Sequence, residues 1–316
     1  MGQYVLKRLL LTIPVLVLIS MLTFTFMRIL PGDVLEVMYA DSPLSEQQIA
    51  QIRHQLGMDK PMAVQYFDWI GGIARLNAGD SLWTRRPVLR EISDRLPITI
   101  ELALFAFIIQ LVVGIPVGMI AATHQDGPLD QISRFLAILL AAAPEFWIAT
   151  IVIVFLASYL GWIPPLGGVA SIWKDPLTNI QQFFLPSLIL GIGSAAVLVR
   201  YMRNQMLEVL RQDYVRTGYA KGLSATRVNY GHALKNAMIP IVTVAGSHLG
   251  RLLGGTVIIE SIFSLPGIGQ LTLDAIQHRD VPQLEMNVLF LAAVFLFVNL
   301  IVDLSYGWLD PRIRYR

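Results

Sequence analysis

Residues 213–240 read DYVRTGYAKGLSATRVNYGHALKNAMIP, a basic and amphipathic stretch between two apolar segments of a largely hydrophobic chain. Two short helical patterns meet in this stretch at Gly222. Lys221 falls in the last turn of the first pattern, and Ser224 can cap the second. Glycine readily takes the left-handed conformation that ends a helix. The stretch therefore predicts a helix–turn–helix held at a membrane surface.

The composition of the whole chain indicates a membrane protein. Hydrophobic residues make up 55% of the 316 positions and charged residues only 15%, which is more apolar than a soluble domain of this length. The formal net charge is +2, and Lys and Arg are dispersed outside residues 213–240, which argues against a nucleic-acid partner. The chain has no cysteine, so disulfides, thiol catalysis and cysteine-based metal sites are excluded.

Six apolar segments have the length expected of membrane-spanning helices. A helix rises about 1.5 Å per residue, so about 20 residues cross a hydrocarbon layer of roughly 30 Å. The predicted spans are residues 9–30, 98–122, 135–160, 183–199, 237–263 and 288–304. The first is too long for a cleaved signal peptide. The sequence predicts an all-α membrane protein with six transmembrane helices.

The distribution of Lys and Arg predicts the orientation of these spans. The N-terminus, residues 200–235 and the C-terminus carry many of these residues and fall on one side. The short connections on the other side hold only Lys174 and Arg279. Because positive charge collects on the cytoplasmic side, both termini and the loop 208–240 are predicted to be cytoplasmic.

This orientation divides the chain into three parts. Residues 1–30 form the first transmembrane helix, residues 31–97 a periplasmic helical insertion, and residues 98–316 a five-helix transmembrane core that contains the loop 208–240. Within the insertion, residues 42–43 start a helix that ends before Gly57. Residues 59–61 open a second helix that the glycines at 71–72 are expected to close, and a third start lies near Pro87.

Ionisable residues inside predicted spans are candidates for function, because charge at membrane depth is costly unless it faces a cavity or a partner. The residues concerned are Glu145, His248, Arg251 and Glu260. Glu145 and Arg251 are predicted to line a translocation path; the alternative for both is a structural ion pair or a helix-end position. Glu260 lies near the outer end of its span and is expected to extend to the interface.

Small residues recur at four-residue spacing on two of the spans. They are Gly114, Gly118 and Ala122 on the second span, and Gly246, Gly250 and Gly254 on the fifth. This spacing predicts close helix packing, and the alternative is a path lined by backbone.

Several chemistries are absent from the sequence. No phosphate-binding loop of the form GxxxxGK[ST] occurs, so the chain is not expected to hydrolyse ATP. The five histidines are scattered, and no catalytic residue or metal ligand is predicted. A secondary transporter is a competing class, but its inverted repeats and interrupted, ion-binding spans are not evident.

Several stretches together carry a family resemblance over nearly the whole chain. They are LPGD (30–33), LGMDKP (56–61), RRPV (85–88), PEFW (144–147), LPS (185–187), DYVRTGYAKGLS (213–224), HALKNAMIP (232–240), FSLPGIG (263–269), HRDVP (278–282) and VNLIVDLSYGWLDPRIRY (298–315). With them the chain resembles a permease subunit of the dipeptide, oligopeptide and nickel group of ATP-binding-cassette importers. The block formed by residues 213–224 and 232–240 resembles the cytoplasmic loop that docks into the ATPase. The residues carried over to this coupling role are Asp213, Tyr214, Arg216, Thr217, Tyr219, Ala220, Lys221, Gly222, Leu223 and Ser224.

The resemblance also implies the partners and the setting. A complete transporter would contain this chain, a second related permease, two ATP-binding subunits that bind ATP and Mg, and a periplasmic or lipid-anchored solute-binding protein. It would lie in a bacterial or archaeal cytoplasmic membrane, with no cofactor in this chain. Short peptides are the expected substrates, and nickel, a metallophore or glutathione are the alternatives. An amphipathic helix resting on anionic lipid is the alternative for the block 213–224.

Overall fold

The computed structural model describes residues 2–29, 46–55, 57–165 and 168–309. Within these ranges the regular structure is helical, and one isolated β-bridge joins Asp80 and Pro87. The α-helices are α1 Gly2–Ile29, α2 Glu46–Gln55, α3 Met62–Ala74, α4 Val88–Thr123, α5 Pro128–Ala142, α6 Glu145–Leu160, α7 Pro176–Leu210, α8 Asp213–Ala220, α9 Ala225–Val228, α10 Leu234–Gly255, α11 Val257–Ile262, α12 Ile268–Gln277 and α13 Val281–Leu309. A π-helical turn, Asn229–Ala233, joins α9 to α10.

Five helical runs in the described part of the chain are long and apolar enough to cross a membrane. They are α1 from Arg8, α4, α7, the run from α9 into α10, and α13. Helices α5 and α6 pass the same test only together, with a bend of 95° between them. Counting this bent pair as one crossing gives six, and the predicted all-α membrane fold is confirmed.

The third predicted span, residues 135–160, is not a continuous helix. Helix α5 ends at Ala142 and α6 begins at Glu145, while Ala143 has extended backbone angles of φ −80° and ψ 127°. Pro144 explains the break, because proline has no amide hydrogen to donate and its ring disfavours helical geometry at the preceding residue. The prediction of an unbroken span was wrong here.

The fifth predicted span, residues 237–263, was also wrong at its outer end. Helix α10 ends at Gly255, and the separate helix α11 follows Thr256. The adjacent glycines Gly254 and Gly255 weaken a helix because glycine loses more backbone entropy on folding than any other residue. The chain therefore turns away before Glu260 instead of continuing across the membrane.

Two other core helices extend beyond their predicted ends. Helix α4 begins at Val88, so residue 97, where the insertion was predicted to end, lies inside a continuous helix that accommodates Pro97. Helix α7 begins at Pro176, where the Asp175 carboxylate accepts a hydrogen bond of 3.2 Å from the backbone N–H of Thr178. Proline in a membrane helix is tolerated when neighbouring groups satisfy the freed backbone oxygen.

Glycines let the core helices pack closely. A Cβ atom at Gly114 of α4 would lie 2.8 Å from the Leu198 side chain of α7, and one at Gly118 would lie 2.7 Å from the Val199 carbonyl oxygen. On α10, a Cβ at Gly246 would collide with Val302 of α13. These contacts are the close helix packing that the four-residue spacing predicted.

The N-terminal helix and the insertion are joined by polar contacts. Arg28 of α1 forms an ion pair with Glu285 of α13, whose side chain is 2% exposed, and donates to Gln65 Oε1 of α3 at 3.0 Å. The Ser20 and Tyr66 hydroxyls lie 2.9 Å apart. These contacts fasten α3 to the ends of α1 and α13.

The helices predicted in the insertion are confirmed with different ends. Helix α2 covers Glu46–Gln55, and its predicted start at residues 42–43 lies outside the described residues. Helix α3 continues through the glycines at 71–72 to Ala74, so the predicted stop was wrong. The Gly72 carbonyl instead accepts a hydrogen bond from the N–H of Arg75 at 2.9 Å, after the last helical residue.

The loop before α4 is fastened by one buried carboxylate. Asp280 accepts hydrogen bonds from the Ser81 hydroxyl and from the backbone N–H groups of Leu82, at 3.1 Å, and Trp83, at 3.3 Å. The Trp83 ring stacks on His278 with 3.7 Å between centroids. Residues 81–83, which precede the RRPV stretch, are thereby joined to the HRDVP stretch.

Candidate functional site

A cavity of about 470 Å³ opens beside the break between α5 and α6. The end of α5, the start of α6, and helices α7, α10 and α11 supply its walls. Its polar side chains are Glu145, Ser194, His248 and Arg251. The structure therefore brings both residues of the predicted path, Glu145 and Arg251, to one cavity.

Glu145 owes its position to the helix break. It is the first residue of α6, where a carboxylate is favoured by the positive end of the helix dipole. Gly193 of α7 makes room for it, because a Cβ atom at residue 193 would lie 2.9 Å from Glu145 Oε1. A side chain at residue 193 would thus push the carboxylate out of this place.

The opposite charge comes from α10. Arg251 is exposed in this chain and lies one turn after His248, which is buried. Among the ion pairs of the described part of the chain, none joins Arg251 to Glu145, so no guanidinium nitrogen of Arg251 lies within 4.0 Å of a carboxylate oxygen of Glu145. The structural ion pair considered as an alternative is therefore absent, whereas the helix-end position holds for Glu145, the first residue of α6. Both charged residues line the cavity.

Glu260 does not extend to the membrane interface as predicted. Its side chain is fully buried and accepts hydrogen bonds from the Thr99 hydroxyl at 2.8 Å and the Thr256 hydroxyl at 2.7 Å. The backbone N–H of Gln270 donates to the same carboxylate at 3.0 Å. A Cβ atom at Gly267 would collide with it. The prediction failed because α10 ends early and α11 folds the carboxylate back into the protein.

A second candidate site is the short projection formed by residues 213–224. Helix α8 ends at Ala220, with Lys221 just after it, and Gly222 has the predicted left-handed backbone with φ +80°. The Ser224 hydroxyl caps α9 by accepting a hydrogen bond of 3.4 Å from the N–H of Arg227. The predicted turn is confirmed, although the second helix continues through the π-helical turn into α10.

The projection is anchored by few residues and exposes the others. Val215 is its one fully buried side chain, and Leu223 is half-buried against Gly218. The Tyr214 and Tyr219 side chains are 43% and 45% exposed. The remaining predicted coupling residues are exposed: Asp213, Arg216, Thr217, Ala220, Lys221, Gly222 and Ser224.

Hydrogen bonds hold the two tyrosines in place. The Asn236 amide donates to the Tyr214 hydroxyl at 2.8 Å, and the Tyr219 hydroxyl donates to Asn229 Oδ1 at 3.4 Å. Both partners belong to the helical run that leads into the fifth crossing. The exposed surface of α8 is thus joined directly to α10.

Comparison with known families decides which kind of protein this is. Residues 114–315 match the family described as binding-protein-dependent transport system inner membrane component, and residues 1–103 match its N-terminal counterpart. The chain belongs to this family. It is therefore a multi-pass permease subunit of an inner-membrane transport system, and the family predicted from the sequence motifs is confirmed.

The permease is similar to curated proteins along its entire length. It is 39% identical over 315 residues to a putative peptide transport system permease protein of Brucella abortus (strain 2308), with 100% of both chains covered. It is 38% identical over 338 residues to the dipeptide transport system permease protein DppB of Escherichia coli (strain K12), again with 100% of both covered. These relatives identify it as a permease of an ATP-binding-cassette importer.

A solved structure shares the fold. An inward-facing conformation of the MetNI methionine ABC transporter matches with a TM-score of 0.56 and 16% sequence identity. The match covers 70% of the permease and 96% of the other chain. At this identity the likeness supports the fold alone.

One ion pair of the permease was missed by the sequence analysis. Asp130 of α5 is fully buried and accepts two hydrogen bonds from the Arg203 guanidinium of α7, one of them 2.7 Å long. Arg134 lies 3.6 Å from the same carboxylate. The pair joins the first half of the bent crossing to the part of α7 that leads into the projection. No local pattern marks it, because its partners are 73 positions apart.

Proposed function

We propose that the permease forms, together with a second related permease, the membrane path of an ATP-driven importer for short peptides. The observation that carries this assignment is the pair of opposite charges, Glu145 and Arg251, on the wall of one cavity. A free peptide has an ammonium group at one end and a carboxylate at the other, so a path for it benefits from both charges. The full-length relatives named as peptide and dipeptide permeases support the same substrate class.

The cavity also makes the two charges energetically tolerable. Charged side chains inside a membrane are accommodated where they face a water-filled space. A carboxylate and a guanidinium on different helices can each exchange a water molecule for a substrate group. Two such contacts orient a peptide without holding it so tightly that it cannot leave.

The projection formed by residues 213–224 is the surface that the ATP-binding subunits contact. ATP and Mg²⁺ bind to two separate ATP-binding subunits, and the permease itself holds no cofactor. Exposed tyrosines, Tyr214 and Tyr219, beside the charged Arg216 and Lys221 make a surface typical of a small protein contact. The hydrogen bonds between these tyrosines and the helical run that leads into α10 carry a displacement of α8 toward the cavity.

The two faces of the permease then have different partners. Both termini and the projection lie in the cytoplasm, and residues 31–97 lie outside, as the Lys and Arg distribution favours. A periplasmic or lipid-anchored solute-binding protein delivers peptides to the outer face. The apolar outer surfaces of the spans contact lipid or the second permease.

ATP-driven uptake by the complete transporter in liposomes tests this function. We expect uptake of radiolabelled dialanine, with Ni²⁺ offered in parallel as the competing substrate. Glu145→Gln and Arg251→Gln are each expected to lower peptide uptake about tenfold, since each removes one charge-assisted hydrogen bond. The amount of assembled complex should not change.

Lys174→Gln is the matched control, because it removes an exposed charge outside the cavity. This variant is expected to transport dialanine at the unmodified rate. Uptake of Ni²⁺ without dialanine would overturn the peptide assignment. Unchanged dialanine uptake in both cavity variants would remove Glu145 and Arg251 from the path.

A further inference from the structure

One buried polar pair beside the cavity is not used by the function proposed above. His248 of α10 is 4% exposed and lines the cavity. Its Nδ1 atom lies 2.9 Å from the amide nitrogen of Gln110, a fully buried residue of α4 that does not line the cavity. Among the residues that the structure describes, Nε2 of His248 makes no hydrogen bond. The imidazole thus has one nitrogen engaged in the protein and one left for the cavity.

The pairing with Gln110 determines which nitrogen carries the proton. An amide nitrogen can only donate, so Nδ1 must accept, and the proton of a neutral ring then resides on Nε2. The cavity therefore meets an N–H donor one turn away from the Arg251 guanidinium.

We propose that His248 is a specificity-determining residue that orients the peptide in the path. Its Nε2–H and the Arg251 guanidinium together bind the substrate carboxylate, while Glu145 on α6 binds the ammonium group. The peptide then passes with its C-terminus toward α10 and its N-terminus toward α6. Gln110 is a positioning residue, because it fixes the imidazole and does not touch the substrate. This inference rests on the proposed peptide function.

Photocrosslinking during turnover measures the orientation directly. The probes are alanyl-photoleucine and photoleucyl-alanine, which have identical charged ends and differ only in which residue carries the diazirine. After illumination of the complete transporter in liposomes, mass spectrometry locates the label. We expect alanyl-photoleucine to label residues 245–252 and photoleucyl-alanine to label residues 140–146, each with a preference of about tenfold.

Two substitutions of the same residue separate a donor to the substrate from a packing role. His248→Gln places an amide N–H where Nε2 was. It gives up the contact with Gln110, but an amide nitrogen has no second tautomer and always donates, so this variant is expected to keep the preference. His248→Asn reaches only the position of Nδ1, so it retains the contact with Gln110 but loses the donor to the cavity. In that variant the two probes are expected to label both regions about equally.

The positioning role of Gln110 has its own variant. Gln110→Leu leaves the imidazole free to reverse its tautomer, and the labelling preference should fall while the assembled complex keeps its melting temperature. An unchanged preference in this variant would remove Gln110 from the mechanism.

Other results would contradict the inference. Equal labelling of both regions in the unmodified transporter, or a preference that survives His248→Asn and disappears in His248→Gln, would overturn it and leave a packing role. Failure of the unmodified transporter to take up either dipeptide would instead overturn the peptide assignment, and this inference with it.

Discussion

Replacing Gly222 by valine tests whether the turn of the projection transmits force. Gly222 has φ +80°, and no atom lies within 4 Å of the place where a Cβ would stand. A Cβ at this position therefore meets no residue beyond its two chain neighbours. The expected effect of the substitution on the folded projection is the strain of a β-branched residue in left-handed backbone.

The size of that strain can be estimated from general values. A non-glycine residue in the left-handed conformation costs about 1–2 kcal/mol, and a β-branched residue lies at the upper end. Because about 1.4 kcal/mol corresponds to a factor of ten, the population of the native turn should fall at least about tenfold relative to distorted turns. In Gly222→Asn the population of the native turn should fall less, since asparagine tolerates the left-handed conformation better.

The assay is substrate-stimulated ATP hydrolysis together with uptake by the reconstituted transporter. We expect Gly222→Val to assemble normally, to lose most of its uptake and to hydrolyse more ATP per peptide transported. Gly231→Val is the matched control, because a Cβ there also has no neighbour within 4 Å and the backbone is helical. In Gly231→Val, ATP hydrolysis should remain coupled to peptide uptake as in the unmodified transporter.

One result would refute the reasoning. If Gly222→Val assembles and retains full stimulation and full uptake, the geometry of this turn does not matter for coupling. The projection would then be an amphipathic segment that rests on lipid, and neutralising Arg216 and Lys221 should weaken the binding of the isolated peptide to anionic vesicles.

Three further predictions concern orientation and stability. Asn77→Cys, in a chain without native cysteine, should react with an impermeant maleimide added outside intact cells, and labelling only from the cytoplasm would contradict the topology. Glu260→Gln should lower the free energy of unfolding by about 1–3 kcal/mol, and with it the melting temperature of the purified complex, because it replaces a charged acceptor of several hydrogen bonds. An unchanged melting curve would argue against that network. Asp130→Asn should destabilise the complex by about 3 kcal/mol, because Arg203 loses its carboxylate partner. The double exchange Asp130→Arg with Arg203→Asp should recover part of this loss. An Asp130→Asn complex as stable as the unmodified one would show that the ion pair contributes little.

Local patterns in the sequence were sufficient for the features that local interactions determine. The left-handed Gly222 and the capping Ser224 depend on residues within the same turn, and both were predicted correctly. Apolar length likewise identified the crossings, because a membrane imposes the same length on every span. The four-residue spacing of glycines on α4 predicted close helix packing, although not the identity of its partner α7.

Features that depend on distant residues could not be predicted in this way. Hydropathy averaged over residues 135–160 is insensitive to a single proline, so the helix break at Pro144 was not predicted. Glu260 was placed at the interface because its partner Thr99 lies 161 positions away in sequence. Glu145 and Arg251 were chosen from their cost at membrane depth, but that cost gives no information on which helices face each other.

The length of α7 has a mechanical consequence. With 35 residues and a rise of about 1.5 Å per residue, the helix is roughly 50 Å long, whereas the hydrocarbon layer measures about 30 Å. A rigid rod of this length, tilted by roughly 10° about its midpoint, moves each of its ends by about 4–5 Å. One end of α7 leads into the projection and its middle borders the cavity. The helix can therefore act as a lever arm that converts a small rotation into a displacement of several ångströms at the end that leads into the projection.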